Sequence, residues 1–91
     1  MALRKYIADH VKYPEIAKEN EIEGTVIIKF IVECDGELSN ITVLRAVDPI
    51  LDSEAVRVIS SLPRFKPGMQ NGCPVRVWFT VPVEFKLQKN N

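Results

Sequence analysis

A run of residues rich in valine and isoleucine, Thr25 to Cys34, leads straight into Asp35-Gly36, and a second β-prone run begins at Leu38. An Asp-Gly pair between two such runs is a strong short-range hairpin signal, because glycine and aspartate accept the backbone twist that a tight turn demands. The returning run extends from Leu38 to about Val47. The chain must therefore cover one face of an antiparallel hairpin with whatever else it contains.

The remaining segments supply that cover. Leu3, Tyr6, Ile7, His10 and Val11 recur at helical spacing, which predicts a short amphipathic helix before Tyr13. Pro14 suits the first position of a second short helix reaching about Asn20, with Ile16, Ala17 and Ile22 toward the core. Gly24 marks the break into the first strand. After Asp48-Pro49, the positions Leu51, Ala55, Val58, Ile59 and Leu62 form an apolar helical stripe with Asp48 or Asp52 as N-cap, and Pro63 ends it. Residues 63–74 read as a loop with turn signals at Pro67-Gly68 and Asn71-Gly72, and the last strand runs from about Pro74 to Leu87. The order α-β-β-α-β, with a right-handed crossover through the long helix, lays the third strand beside the first. The expected fold is α+β: a three-stranded antiparallel sheet of order 2-1-3 with the helices on one face. All 91 residues read as one domain, with an N-terminal helix or extension at 1–12, a core at 13–87 and a tail at 88–91.

Period-2 alternation assigns the faces. Val26, Ile28, Phe30, Val32 and Cys34 in strand one, and Cys73, Val75, Val77, Phe79, Val81, Val83 and Phe85 in strand three, should lie under the helices. The opposite face carries Ile27, Ile31 and Trp78, an apolar stripe that serves either as a contact patch or simply as cross-strand packing. In the 2-1-3 order strand three is an edge. Pro82 blunts its C-terminal half, and Pro74 to Val81 is left open, as a strand-addition site would be. Self-association, giving a homodimer, or the N-terminal segment could close the same edge.

Charge and chemistry narrow the function. Twelve basic and twelve acidic side chains cancel, which argues against a nucleic-acid binder. Eleven of the twelve acidic residues precede Arg57, whereas half of the basic ones follow from it, so the C-terminal third is a basic end suited to an acidic partner. No run approaches the ~20 apolar residues of a membrane span. The start Met1-Ala2-Leu3-Arg4-Lys5 has no secretory leader pattern, which leaves a cytoplasmic protein or a piece of a longer chain. His10 stands alone, no Cys/His/Asp/Glu set has metal-ligand spacing, and there is no phosphate-binding glycine loop or Ser/His/Asp set. The expectation is a binding domain with no catalytic residues, cofactor or metal. Cys34 and Cys73 end and begin neighbouring strands with matching face parity, so a disulfide and two independent thiols both remain open.

The ordered set Tyr13-Pro14, Ala17, Ile22 with Gly24, Thr25 to Cys34, Asp35-Gly36, Leu51-Asp52 with Ala55, Phe65-Lys66-Pro67-Gly68, Gly72 with Pro74-Val75, and Val81-Pro82-Val83-Glu84-Phe85 resembles the TonB C-terminal domain family. Phe65 stands where that family often has tryptophan, which keeps an aromatic anchor. The resemblance implies a periplasmic domain of an energy transducer anchored in the inner membrane, coupled through an N-terminal segment to a proton-driven inner-membrane complex. It also implies that the domain adds the TonB box of an outer-membrane transporter as a strand beside its last strand. On this reading the partner-binding residues are Pro74, Val75, Arg76, Val77, Trp78, Phe79, Thr80 and Val81, with Tyr13 and Pro14 as a second contact region. The competing expectation is the same fold used as an accessory domain of another membrane protein, such as a membrane-anchored peptidase receptor.

Overall fold

The computed structural model describes residues 3–87; the tail reading at 88–91 lies outside them. Three helices, α1 (Leu3–His10), α2 (Glu15–Glu19) and α3 (Pro49–Ser60), accompany five strands: β1 (Gly24–Val32), β2 (Leu38–Arg45), β3 (Gly68–Gln70), β4 (Cys73–Val75) and β5 (Val77–Phe85). The main sheet has the order β2-β1-β5 and is antiparallel at both contacts, as the 2-1-3 expectation requires.

The core lies between this sheet and the helices. Val26, Ile28, Phe30 and Val32 of β1 are fully buried against Leu51, Ala55, Val58 and Ile59 of α3 and Val83 of β5, with Ala17 of α2 and Ile7 of α1 closing the cluster. Each buried Val, Leu or Ile contributes roughly 1.5–3 kcal/mol of transfer free energy, so α3 with four inward residues is the principal helix of the fold. Asp48 caps it: its side chain accepts from the Ile50 N–H at 3.0 Å, and Pro49 occupies the first turn, where no N–H is needed. Asp52 reaches back to accept from the Val47 N–H at 2.9 Å, fixing the entry of the chain into the helix.

α1 fully buries only Ile7, with Leu3 partly buried against the core, and is further fastened by polar contacts. The Tyr6 hydroxyl donates to the Ser61 carbonyl at 3.0 Å, and Glu54 accepts from the Lys12 N–H at 2.6 Å. Glu54 also pairs with the Arg57 Nε at 2.7 Å, and Arg57 Nη2 donates to the His10 carbonyl at 3.0 Å, at the C-terminus of α1. The Arg57 hydrogen bond, reinforced by the Lys12 N–H, holds the Glu54 carboxyl below the usual range. A carboxyl depressed in the fold stabilises it above the unfolded pKa, and that contribution is lost as pH falls through the folded value. The protection of amides in Leu3–His10, taken relative to their intrinsic exchange rates, should therefore fall on acidification below about pH 4.5, and Glu54→Gln should remove most of that dependence while leaving protection in β1 unchanged.

The third strand departs from the sequence reading in length. β1 ends at Val32, which pairs with Val77, so nothing remains for Pro74 and Val75 to pair with. The chain instead folds Gly68–Gln70 against Cys73–Val75 in a separate two-stranded hairpin. Asn71 (φ 52°) and Gly72 (φ 78°) form its two-residue turn, both in the left-handed region that such turns require. The segment 63–74 read as a loop thus contains a strand. Cys34 and Cys73, expected in the core, are both exposed free thiols: Cys34 lies past the end of β1, and Cys73 pairs with Gln70 in the hairpin. Val75 and Val77 are half-buried, and Phe79 is 42 % exposed, so the core face of strand three closes only from Val81 onward.

Gly36 joins the two halves of the structure. It turns the β1–β2 connection at φ +87°, and its carbonyl accepts from the Phe65 N–H at 2.8 Å. A Cβ there would lie 2.1 Å from the Phe65 carbonyl oxygen. Gly36→Ala combines a left-handed penalty of ~1–2 kcal/mol with loss of a hydrogen bond contributing ~1 kcal/mol. Denaturant unfolding should show the domain about 2–3 kcal/mol less stable.

Candidate functional site: an open sheet edge

The two edges of the main sheet differ. Along β2 the pairing with β1 shifts register twice, between Ile27 and Ile28 and between Lys29 and Ile31, and Asn40 takes φ 50°. Bulges of this kind twist an edge away from any further strand. β5 instead pairs with β1 without interruption, from Val77 opposite Val32 to Phe85 opposite Gly24. Its outer side is the regular edge.

Backbone direction along that edge follows from Pro82. It lies opposite Ile27 inside the ladder but has no N–H to give, so its nitrogen faces outward, as prolines in edge strands do. Alternation through an unbroken register then turns the N–H and C=O of Trp78 and Thr80 outward, and those of Val77, Phe79 and Val81 toward β1. Beyond Pro82 the edge is flanked by α1. Arg4, Ile7, Ala8 and Val11 face Thr25, Pro82 and Glu84 across an open groove of about 380 Å³. Because Pro82 has no N–H to offer, the part of the edge that can pair without interruption is short, Val77 to Val81.

Side chains fix its upper end. Arg76, between β4 and β5, donates from Nε to Glu33 Oε1 at 2.7 Å, and Glu33 also accepts from the Ser39 hydroxyl, which ties the ends of β5, β1 and β2 together. The Ser39 and Arg76 hydrogen bonds hold the Glu33 carboxyl below its ordinary value. Trp78 is 55 % exposed on the face away from the helices, with Lys29 Nζ 4.5 Å from its ring centroid, a cation–π contact. Ile31, its cross-strand neighbour on that face, is buried rather than exposed, so the open-face stripe is partly filled by its own packing.

Of the residues singled out in the sequence, the structure brings Val77, Trp78, Phe79, Thr80 and Val81 together on the edge. Pro74 and Val75 belong to the β3–β4 hairpin instead. Tyr13 and Pro14 sit at the opposite end of β5. The Tyr13 ring meets Phe85 edge-on at 5.6 Å and its hydroxyl donates to the Ile22 carbonyl, and burial and the Glu23 carboxylate push its pKa up. Pro14 takes φ −61°, ψ 136° and opens α2 as its N-cap rather than as the first helical residue. Two cations of the basic C-terminal third are already paired, Arg64 with Glu37 at 2.8 Å and Arg76 with Glu33 at 2.7 Å. Among the described residues no three or more His, Cys, Asp or Glu side chains converge to hold a metal, and no helix is long and apolar enough to cross a membrane. The reading missed the β3–β4 hairpin, although Asn71-Gly72 between short apolar-capped segments was the signal for it.

These features define a class: an open-edged, three-stranded α+β domain with its helices on one face. Solution structures of the Helicobacter pylori TonB C-terminal domain share that fold. One superposes with TM-score 0.73 at 23% identity over 96% of this chain and 78% of that one, the other with 0.71 at 24% over 97% and 92%. The model of the Gram-negative bacterial TonB protein C-terminal family matches residues 9–87. The TonB protein of Pseudomonas aeruginosa is 32% identical over 77 residues, which is 85% of this chain and 22% of that protein. The TonB protein of Vibrio cholerae is 30% identical over 78 residues, 85% of this chain and 32% of that protein. The chain belongs to the TonB C-terminal domain family, and it spans about a fifth to a third of the length of the curated relatives it matches.

Proposed function

We propose that this domain is the periplasmic, C-terminal part of a TonB-type energy transducer whose full-length protein is anchored in the inner membrane and coupled there to a proton-driven complex. It binds an extended segment of an outer-membrane transporter, the TonB box, as an added strand along the outer edge of β5. The observation that carries this reading is the contrast between the two sheet edges: β2 is broken by bulges, whereas β5 offers an uninterrupted ladder whose outer side from Val77 to Val81 precedes Pro82, which has no N–H to give. Main-chain pairing gives affinity with loose sequence demands, which suits a transducer serving several transporters. Family membership supports the same reading.

Arg64 and Arg76 are already paired, and Lys29 lies over the Trp78 ring, so little unengaged positive charge borders this edge. Steering of an acidic peptide should therefore be modest, and binding should weaken only a few-fold between low and physiological salt. The direct test is titration of the labelled domain with synthetic peptides from the N-terminal segments of outer-membrane transporters, followed by backbone amide shifts. Shifts concentrated at Trp78 and Thr80, with β2 silent, are expected. Shifts confined to β2, or dimerisation through β5 that peptide does not displace, would overturn the reading.

A further inference from the structure

The helix side of the open edge carries a second feature. Phe79, placed in the core by alternation, is 42 % exposed, because β5 is an edge and no described strand pairs beyond it. Its ring stacks on Phe30 with centroids 6.0 Å apart and planes at 21°, and meets Phe65 at 6.4 Å and 61°. Phe30 and Phe65 close the set at 6.0 Å and 80°. Phe30 is buried and Phe65 half-buried, so Phe79 is the outward member of a three-ring cluster. The row along this flank, Val77, Phe79 and Val81, is entirely apolar, whereas the other flank alternates Trp78, Thr80 and Pro82. The β3–β4 hairpin fixes the start of the row: a Cβ on Gly68 would lie 2.4 Å from Val77 Cγ2, so hairpin and strand are in close contact.

We infer that Phe79 is a specificity-determining residue of the edge: it selects extended peptides that place a bulky apolar side chain on the helix side beside it, and it disfavours a carboxylate there. The inference rests on the strand-addition reading. A strand added to β5 lies about 4.8 Å away, and a side chain on the same face, opposite or diagonal to Phe79, comes within its reach. An apolar residue completes the burial of the ring. A carboxylate would lose water beside the Phe79 ring, and Val77 and Val81 offer it no hydrogen-bond partner. The other flank, bordered by Thr80 and the exposed Lys29–Trp78 pair, tolerates polar residues. Phe79 thus converts a backbone-reading edge into one that fixes the register of the peptide.

The experiment is an aspartate scan of one parent peptide that binds the wild-type domain, titrated by calorimetry against wild type, Phe79→Leu and Phe79→Lys. On wild type and Phe79→Leu, aspartate at one position should weaken binding at least ~30-fold, and at its immediate neighbours at most ~3-fold. On Phe79→Lys the parent should weaken, and aspartate at that same position should restore binding ~10-fold relative to the parent while aspartate elsewhere does not. An aspartate profile that is the same on wild type and Phe79→Lys overturns the inference with strand addition intact. A wild-type profile without a single dominant position overturns it even if Phe79→Lys does not fold. Peptide binding that survives Trp78→Pro in a folded domain removes the strand-addition reading itself.

Discussion

Trp78→Pro is expected to leave the domain folded and to abolish peptide binding, whereas Val81→Pro, three residues on, is expected to lose the fold. Both residues lie in β5, and the difference is one of backbone direction. Val81 pairs with Ile28 and is 3 % exposed, with its N–H turned toward β1, so a proline there removes a ladder hydrogen bond at the centre of the sheet. Trp78 directs its N–H outward, and a proline there removes only a donor that solvent or a partner would use. The proline also lacks the indole, so Trp78→Ala is the control: it keeps the N–H and should retain binding within about 10-fold, the loss expected of one truncated contact. Circular dichroism reports the fold and calorimetry the binding. Equal binding by Trp78→Pro and Trp78→Ala would show that backbone pairing at this edge is not how the peptide is held.

Phe65→Ala is expected to destabilise the domain by about 3–4 kcal/mol, at the low end for a large aromatic because the ring is only half-buried. The ring packs edge-on against Phe30, which is fully buried at the centre of the sheet, so its removal opens a cavity beside the core rather than at its rim. The segment from Leu62 to Pro67 has no helix or strand of its own, and besides the ring it is held by the Phe65 N–H bond to Gly36 and the exposed Arg64–Glu37 pair at 2.8 Å. For a domain of this size each kcal/mol moves the melting temperature by about 4–8 °C, so calorimetry should register a fall of at least about 12 °C. A fall under about 4 °C would mean that the Phe65 backbone bond and the Arg64–Glu37 pair anchor the segment without the ring.

The two variants lie on either side of the line between what the residues announce and what the fold decides. Local chemistry settled much. Asp35-Gly36 made the hairpin, Asp48-Pro49 started α3, Pro63 ended it, and the stripe Leu51, Ala55, Val58 and Ile59 named the helix face that is buried, because each of these acts within a few residues of itself. The crossover through α3 then left one arrangement of three strands, so the β2-β1-β5 order and the edge position of the last strand were legible before any coordinates. The ordered family motifs were legible too, since they are sequence by nature.

What stayed hidden were quantities that depend on where a distant segment stops. The sequence could not show that β1 ends at Val32, and with it that Pro74 and Val75 leave the sheet for a hairpin of their own. The face parity of Cys34 and Cys73 meant nothing once the ladder ended short of both, so they became exposed thiols rather than core residues. Alternation put Phe79 on the helix side but could not expose it: exposure depends on whether another element covers that side, and at this edge no described element does. Nor could composition tell that Arg64 and Arg76 spend their charge on Glu37 and Glu33, because those pairs join residues 27 and 43 positions apart. Periodicity fixes which way a side chain points. Only the packed chain fixes what, if anything, lies there to meet it, and at the β5 edge that difference sets the extent of the candidate site.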